Sequence, residues 1–382
     1  MPKLYDTQER KKRAFLISVV SGDNSDESFC RELQGLTESL ELEIAAHEKI
    51  RVREKSSKFG IGSGKAESLC SKAAEINADL IVIDFCPEKN KGQLKKNNQE
   101  NLSPSQQKNW EESAGIPVLD RQELIIRIFA DRANTREAEL QVKLAELTYF
   151  LPRLTHKYID LSRQRGGRYG TKGSGETKFE TDRRKIEKRI HQLEKDIEMI
   201  RKQRGTQRRQ RQKSNIPVCA IVGYTNAGKS SLLNALTGAG VIAEDKLFCT
   251  LDSVTRRFQL TPDTPVLLTD TVGFIRNLHH SLIKAFRSTL EEASLADILI
   301  HILDASESDI QNNYETTISV LHELGAQELP MITLLNKIDR LSESNMEELK
   351  NLFPESIPVS VKNGTGLDNL KESILKKISK SN

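Results

Sequence analysis

No stretch of this chain approaches the roughly 18 consecutive apolar residues of a helical membrane span. The N-terminus, MPKLYDTQERKKRAFL, lacks an apolar core long enough for a secretory signal. Cysteine is scarce: Cys30, Cys70, Cys86, Cys219 and Cys249 are the five in 382 residues, and no two form a C-x-x-C pair. Four lie in or beside apolar runs, and Cys249 follows Phe248. That pattern fits small, buried, reduced thiols and argues against a disulfide scaffold. The absences together predict a soluble, cytoplasmic protein, with peripheral membrane association as the alternative location.

Charge is plentiful and unevenly placed. The chain is 37% hydrophobic, enough for ordinary cores, and 29% charged, with a formal net charge of +4. Residues 163–213 hold 18 Lys/Arg against 7 Asp/Glu, a local +11, which leaves 40 against 47, or −7, elsewhere. A basic segment carried by an acidic remainder suggests a polyanionic partner. At roughly 100–200 residues per domain, the length suggests two or three domains.

Residues 1–125 read as a small parallel α/β unit. AFLISVV (14–20) is a buried strand, followed by a polar turn and a helical pattern to about Leu40. Residues 65–84 read as a helix and then a strand ending at Asp84, and SAGIPVLD (113–120) as another strand. The polar segment 87–106 reads as a mobile loop. FGIGSGK (59–65) is not a phosphate loop: counted from Gly60, the second required glycine falls on Lys65, so a turn before a helix is expected.

Residues 126–213 differ. Leu140, Leu144, Leu147 and Leu151 recur at heptad spacing, as do Phe179, Ile186, Ile190, Leu193, Ile197 and Ile200. Two such helices around a break make an antiparallel helical hairpin, unless the seams pack on another domain. The break, RQRGGRYGTKGSGETKFETDRR (163–184), is rich in glycine and carries Arg163, Arg165, Arg168, Lys172 and Lys178. Pliable backbone with interleaved positive charge favours phosphate contact over base readout. The alternative is a solvated tip. Residues 201–213 read as a charged linker or a helix end, with added electrostatic contact as a further role.

From residue 214 to 382 strand and helix alternate more cleanly, as in a doubly wound parallel sheet. GYTNAGKS (223–230) fits G-x-x-x-x-G-K-[ST] between a strand and a helix. Gly223, Tyr224, Thr225, Asn226, Ala227 and Gly228 then form a loop whose N–H groups face phosphates. Lys229 reaches the outer ones, Ser230 ligates Mg²⁺, and Ser231 continues the helix start. NKID (336–339) follows the strand MITLL: Asn336 bonds the purine 6-oxo group, and Asp339 accepts from guanine N1 and its 2-amino group. Adenine offers neither donor, a mismatch worth on the order of 10⁴–10⁵ in discrimination. Lys337 and Ile338 complete that loop. Asp270 reaches Mg²⁺ through water, Thr271 and Val272 follow it, and the Gly273 N–H meets the γ-phosphate. FCTLDSVTRR offers Thr250 and Thr255 as a second Mg²⁺ ligand, and Ser360, Val361 and Lys362 are the base-loop candidates. After Gly273, where a glutamine aims the attacking water in some GTPases, this chain has Phe274. A phenyl ring orients no water by hydrogen bonding.

These motifs, in this order, resemble the translation-factor-related class of P-loop GTPases, and the whole chain looks like the HflX family of ribosome-associated GTPases. The marks are IGSGKAESL, NLSPSQQKNW, LQVKLAEL, LPRL, GSGETKFETDRR, GYTNAGKSSLLNAL, FCTLDSVTRR and DTVGFI, spanning about residues 60 to 365. The resemblance places the Mg²⁺-ligating threonine in FCTLD, hence Thr250 with Phe248, Cys249, Leu251 and Asp252 around the nucleotide. Lys229, Gly273 and Thr250 are then the catalytic set. It also implies that the first two regions form one N-terminal domain. It implies binding to the large ribosomal subunit, with the tip at ribosomal RNA near the peptidyl-transferase region, and the splitting of stalled or idle ribosomes under stress. A monomer with slow intrinsic turnover is expected. Departures are RYG (168–170) where members often show Ile-Gly-Leu, and Ser360-Val361 where Ser-Ala is usual. The chain stops at Asn382, so the further C-terminal domain of longer relatives is not expected. Rival readings are a GTP-controlled protein-binding switch and a remodeller of free RNA.

Overall fold

The β-branched runs of the first 120 residues build a four-stranded, wholly parallel sheet. The structure is a computed structural model that describes residues 10–21, 27–86, 101–164, 174–212, 216–240, 246–276, 282 and 285–381. Of these, residues 21, 155–164, 174–179, 206–212, 287–289 and 380–381 are described by backbone alone. The chain divides into two compact units, residues 1–128 with 150–180, and residues 129–149 with 181–382.

In the first unit the elements run β1 (Arg13–Ser21), α1 (Glu27–Ser39), β2 (Glu43–Val52), α2 (Ser63–Glu75), β3 (Leu80–Phe85), α3 (Pro104–Ala114), β4 (Val118–Asp120) and α4 (Arg121–Arg132). The sheet order is β2-β1-β3-β4. β3 is buried along its whole length, as a central parallel strand covered on both faces must be. One face packs Phe15, Ile17, Val19, Phe59, Leu69 and Trp110. The Trp110 indole N–H donates to the Phe59 carbonyl at 2.9 Å, and the two rings meet edge to face. A charged cluster is also buried in this unit: Arg121, 1% exposed, pairs with Glu32 and with Asp84, the latter at 2.8 Å. Arg153 pairs with Asp120 at 2.8 Å.

Two elements of this unit escape a reading by pattern. β2 is half-exposed at the sheet edge, so its apolar alternation is weak. α3 begins inside the polar stretch expected to be a loop. Ser103 accepts from the Gln106 N–H and Gln106 returns the bond, a capping box with Pro104 at the first turn. The residue types for that start were all present in the sequence.

Helices α5 (Arg136–Gln164) and α6 (Ser174–Gln212) form the hairpin arms, with Arg204 near the end of α6 paired at 2.9 Å to Glu137 in the first turn of α5. Of the expected α6 seam, Leu193 is fully buried and Ile186, Ile190, Ile197 and Ile200 are half-buried, and the Phe179 side chain lies outside the described residues. In α5 Leu144 of the expected seam is buried and Leu140, Leu147 and Leu151 are half-buried, while Ala138, Gln141, Val142, Ala145 and Tyr149 are buried as well. The tip residues Arg165, Arg168 and Lys172 lie outside the described residues.

The second unit continues with β5 (Val218–Gly223), α7 (Lys229–Thr237), β6 (Val254–Thr261), β7 (Thr264–Asp270), α8 (Arg287–Ser294), β8 (Ile298–Asp304), α9 (Ile310–Glu323), β9 (Met331–Asn336), α10 (Glu343–Leu352), β10 (Ile357–Pro358) and α11 (Leu367–Ser381). Its sheet order is β10-β9-β8-β5-β7-β6, with β6 antiparallel to β7 and the rest parallel. β6 is the other strand missing from the pattern reading, again half-exposed at an edge. Among the described residues no helix is long and apolar enough to cross a membrane.

Arg121 gives the first unit its clearest vulnerability. Removing one partner of a buried ion pair strands the others without compensation. Arg121→Ala is expected to lower stability by about 3–5 kcal/mol. Urea titration followed by Trp110, the single tryptophan of the chain, reads this unit directly; an unchanged midpoint would contradict the expectation.

Candidate functional site

β5 and β7 are parallel neighbours, so their carboxyl ends deliver two loops side by side. The loop after β5 is 223–230. Gly228 takes φ +102°, and a Cβ there would strike the Asn336 side chain, so this turn into α7 requires glycine. The loop after β7 runs through Gly273 to Phe274. Phe274 extends the strand pairing: its N–H donates to the Gly223 carbonyl at 3.1 Å, and its carbonyl accepts from the Thr225 N–H at 2.8 Å. Its ring is 1% exposed. A Cβ on Gly273 would stand 2.8 Å from Thr225 Cα and 2.9 Å from Lys229 Nζ. The two loops are therefore in contact where Lys229 lies.

The cleft between them is lined by Thr225, Asn226, Gly228, Lys229, Ser230 and Ser231 on one side and Lys246, Phe248, Cys249, Thr250 and Gly273 on the other. Three oxygens converge on its floor. Ser230 Oγ is 2.6 Å from Asp270 Oδ2 and 2.7 Å from Thr250 Oγ1, and Thr250 Oγ1 donates to Asp270 Oδ2 at 3.1 Å. Asp270 Oδ1 is buried without a partner. Thr255, the other threonine candidate, bonds Thr269 across β6 and β7 at 3.0 Å. Thr271 donates to the Ile221 carbonyl at 2.7 Å, Val272 and Leu251 are buried, and the Tyr224 hydroxyl accepts from the Arg276 N–H at 3.0 Å. Phe248 has φ +58° and rests edge-on against Phe129. Asp252 accepts from the Thr135 hydroxyl. Lys246 was not foreseen; it follows no spacing rule, and its carbonyl accepts from Cys249 Sγ at 3.0 Å.

The expected base-binding residues form a second corner. The Asn336 amide donates to the Ala227 carbonyl at 2.9 Å and accepts from the Val361 N–H at 3.1 Å, tying three loops together. Ser360 donates to Asp339 Oδ1 at 2.5 Å, which holds that carboxyl below its ordinary range. Lys337 is in the left-handed region at φ +66° and pairs with Asp304 at 2.6 Å; Ile338 donates to the Val359 carbonyl. Lys362 sits in the same turn.

Burial sets the electrostatics of the cleft. It pushes the Asp270 carboxyl up against the opposing pull of Lys229, Ser230 and Thr250. It pushes Lys229 down to about 8, with Asp270 and Cys249 opposing. The Lys229 ammonium bonds the Gly223 and Tyr224 carbonyls of its own loop, at 3.2 and 2.7 Å. His301, buried in β8, is pushed down to about 3 by burial and then by Lys229, so it is neutral at ordinary pH. A bound phosphate favours the charged form of Lys229. Binding above the free-state value therefore requires proton uptake, and affinity is lost as pH rises through it. GDP affinity is expected to be level from pH 7 to about 8 and then to fall by up to about tenfold per unit. Titration of a fluorescent GDP analogue from pH 7 to 9.5 checks this; a flat profile would contradict it.

Comparison with known proteins agrees with this geometry. Residues 97–130 match the family described as GTP-binding GTPase N-terminal, and residues 132–211 the GTP-binding GTPase Middle Region. Residues 218–337 match the family described as 50S ribosome-binding GTPase. The GTPase HflX of Akkermansia muciniphila is 42% identical over 381 residues, covering 96% of this chain and 84% of that protein. The GTPase HflX of Escherichia coli K12 is 35% identical, covering 98% and 85%. Among solved structures, the crystal structure of SsGBP in complex with GDP matches with a TM-score of 0.50 at 25% identity, covering 96% of this chain and 98% of that one. A chain this similar along its length to those relatives belongs to the HflX family of GTPases.

Proposed function

We propose that this GTPase binds the large ribosomal subunit in its GTP form, hydrolyses GTP slowly alone and faster when engaged, and dissociates stalled or idle ribosomes under stress. The observation that carries the slow-until-engaged reading is Phe274. Its ring is buried, and its backbone N–H and carbonyl are both bonded to the phosphate loop. That position supplies nothing to aim a water, and a partner that completes such a site raises turnover by roughly 10³–10⁵. The ribosomal part rests on the match of residues 218–337 to a ribosome-binding GTPase family and on the local +11 of residues 163–213.

In this reading the loop N–H groups and Lys229 hold the phosphates, Asn336 and Asp339 with the 360–362 turn hold guanine, and the Gly273 N–H meets the γ-phosphate. The clustered hydroxyls of Ser230 and Thr250, beside a carboxylate with one unpartnered oxygen, are the hard oxygen set that suits Mg²⁺. When bound there, the ion neutralises charge between the outer phosphates. Ser230 and Thr250 would hold it, with the Asp270 carboxylate beside them.

The basic tip contacts ribosomal RNA through Arg165, Arg168 and Lys172. Replacing all three with alanine is expected to weaken binding to large subunits. It is also expected to reduce the slope of log affinity against log salt, by about 0.7–0.9 for each phosphate no longer neutralised. Sedimentation with purified large subunits at several salt concentrations measures both, and unchanged binding would remove the tip from the account. Retained protein capture with no RNA dependence would favour a protein-binding switch instead.

A further inference from the structure

One short stretch takes no part in the reading above, yet it grips the segment that carries Thr250. It runs from Phe129, in the last turn of α4, to Thr135, just before α5, and belongs to the second unit. The Phe129 ring is 1% exposed and meets two others edge to face: Phe248, with centroids 4.7 Å apart, and Phe286, at 4.5 Å. Phe286 leads into α8. The Thr135 hydroxyl donates to Asp252 and accepts from the Ala138 N–H at 3.2 Å, so one group both caps α5 and ties down Asp252. Thr250 lies midway between the two held residues, Phe248 and Asp252. The backbone of Phe248 is in the left-handed region, at φ +58°, which bulky side chains seldom enter. Such a conformation persists where its neighbours over-determine it. The edge-to-face contact with Phe129 does so, being worth more than its buried area alone. The gripping stretch is itself braced. Glu137, in the first turn of α5, pairs with Arg204 of α6 at 2.9 Å, and Arg201 of α6 pairs with Glu291 of α8 at 2.8 Å.

We propose that Phe129 and Thr135 are positioning residues that hold the 248–252 segment so that the Thr250 hydroxyl stands at the Mg²⁺ corner, and that this grip sets the preference for GTP over GDP. The Thr250 oxygen is 2.7 Å from Ser230 Oγ and 3.1 Å from Asp270 Oδ2. A segment held in advance loses less conformational freedom when it closes on an ion. In P-loop GTPases the first switch closes on the γ-phosphate and Mg²⁺ and is released after hydrolysis. The grip therefore strengthens GTP binding and leaves GDP binding nearly untouched. By reciprocity, GTP binding tightens the junction between α4 and α5. The proposal rests on the reading of Thr250 as a Mg²⁺ ligand.

The test uses the full chain and two measurements. One is affinity for a non-hydrolysable GTP analogue against affinity for GDP, both with Mg²⁺. The other is the alkylation rate of Cys249, the neighbour of Thr250 in the held segment, followed by mass spectrometry. Phe129→Ala is expected to weaken analogue binding about tenfold, to leave GDP affinity within about threefold, and to speed Cys249 alkylation at least about threefold. Phe129→Leu keeps apolar bulk and is expected to shift both measurements the same way by less; it serves if the alanine variant does not fold. Thr135→Ser keeps the hydroxyl and is expected to match the parent. Thr135→Asp keeps a capping oxygen but sets a carboxylate against Asp252, so it is expected to follow Phe129→Ala. Equal losses for the analogue and GDP, or Cys249 alkylated at the parent rate, would reduce Phe129 to packing and overturn the proposal. So would a Thr135→Asp variant that matches the parent. Thr250→Val separates the two readings. If it leaves the GTP preference intact, the Mg²⁺ reading falls and the proposal with it; if it lowers the preference while the Phe129 variants do not, the proposal falls alone.

Discussion

The two backbone hydrogen bonds between Phe274 and the phosphate loop set the terms for the whole nucleotide site. They exist because β5 and β7 are adjacent and parallel, so the segments leaving their carboxyl ends continue to pair beyond the sheet. The pairing presses Gly273 against Thr225 and Lys229, at a separation that admits no side chain on Gly273. It also buries the Phe274 ring. A phenyl group is then an ordinary packing choice, and the chemistry that a polar side chain would supply must come from elsewhere. The same closure explains why Lys229 bonds the carbonyls of its own loop. In the proposed reading, phosphates entering the cleft would exchange those bonds for charge-assisted ones, which are shorter and stronger.

Asn336 performs a comparable task for the base corner. By bonding Ala227 and Val361 at once, it links the phosphate loop to the segment that faces the base. The Ser360 hydroxyl holds the Asp339 carboxyl ionised and in place. Two corners of the cleft are therefore braced to each other through one amide.

What the sequence disclosed and what it hid divide along physical lines. The loops 223–230 and 336–339 were readable because each fixed residue type meets a backbone or hydrogen-bond requirement at a fixed spacing, as Gly228 does with its positive φ. Central strands such as β3, buried on both faces, announce themselves as continuous apolar runs. The edge strands β2 and β6 do not: they mix charged and apolar residues because water covers part of each. α3 was written into Ser103, Pro104 and Gln106, but the polar residues before it hid the signal. The leucine spacing in α5 found Leu144 but not the small buried residues Ala138, Val142 and Ala145 beside it, because alanine and valine carry little periodic signal of their own.

The central claim is that this chain carries a guanine-nucleotide site whose hydrolytic step waits on the large ribosomal subunit. The most direct measurement is the GTP hydrolysis rate of the purified protein in three conditions: alone, with purified large subunits, and with free ribosomal RNA. The account predicts slow turnover alone, little change with free RNA, and strong stimulation by large subunits, within the roughly 10³–10⁵ range available to a completing partner. Fast turnover alone, indifferent to subunits, would mean that the catalytic group is already complete within the chain and would contradict the account.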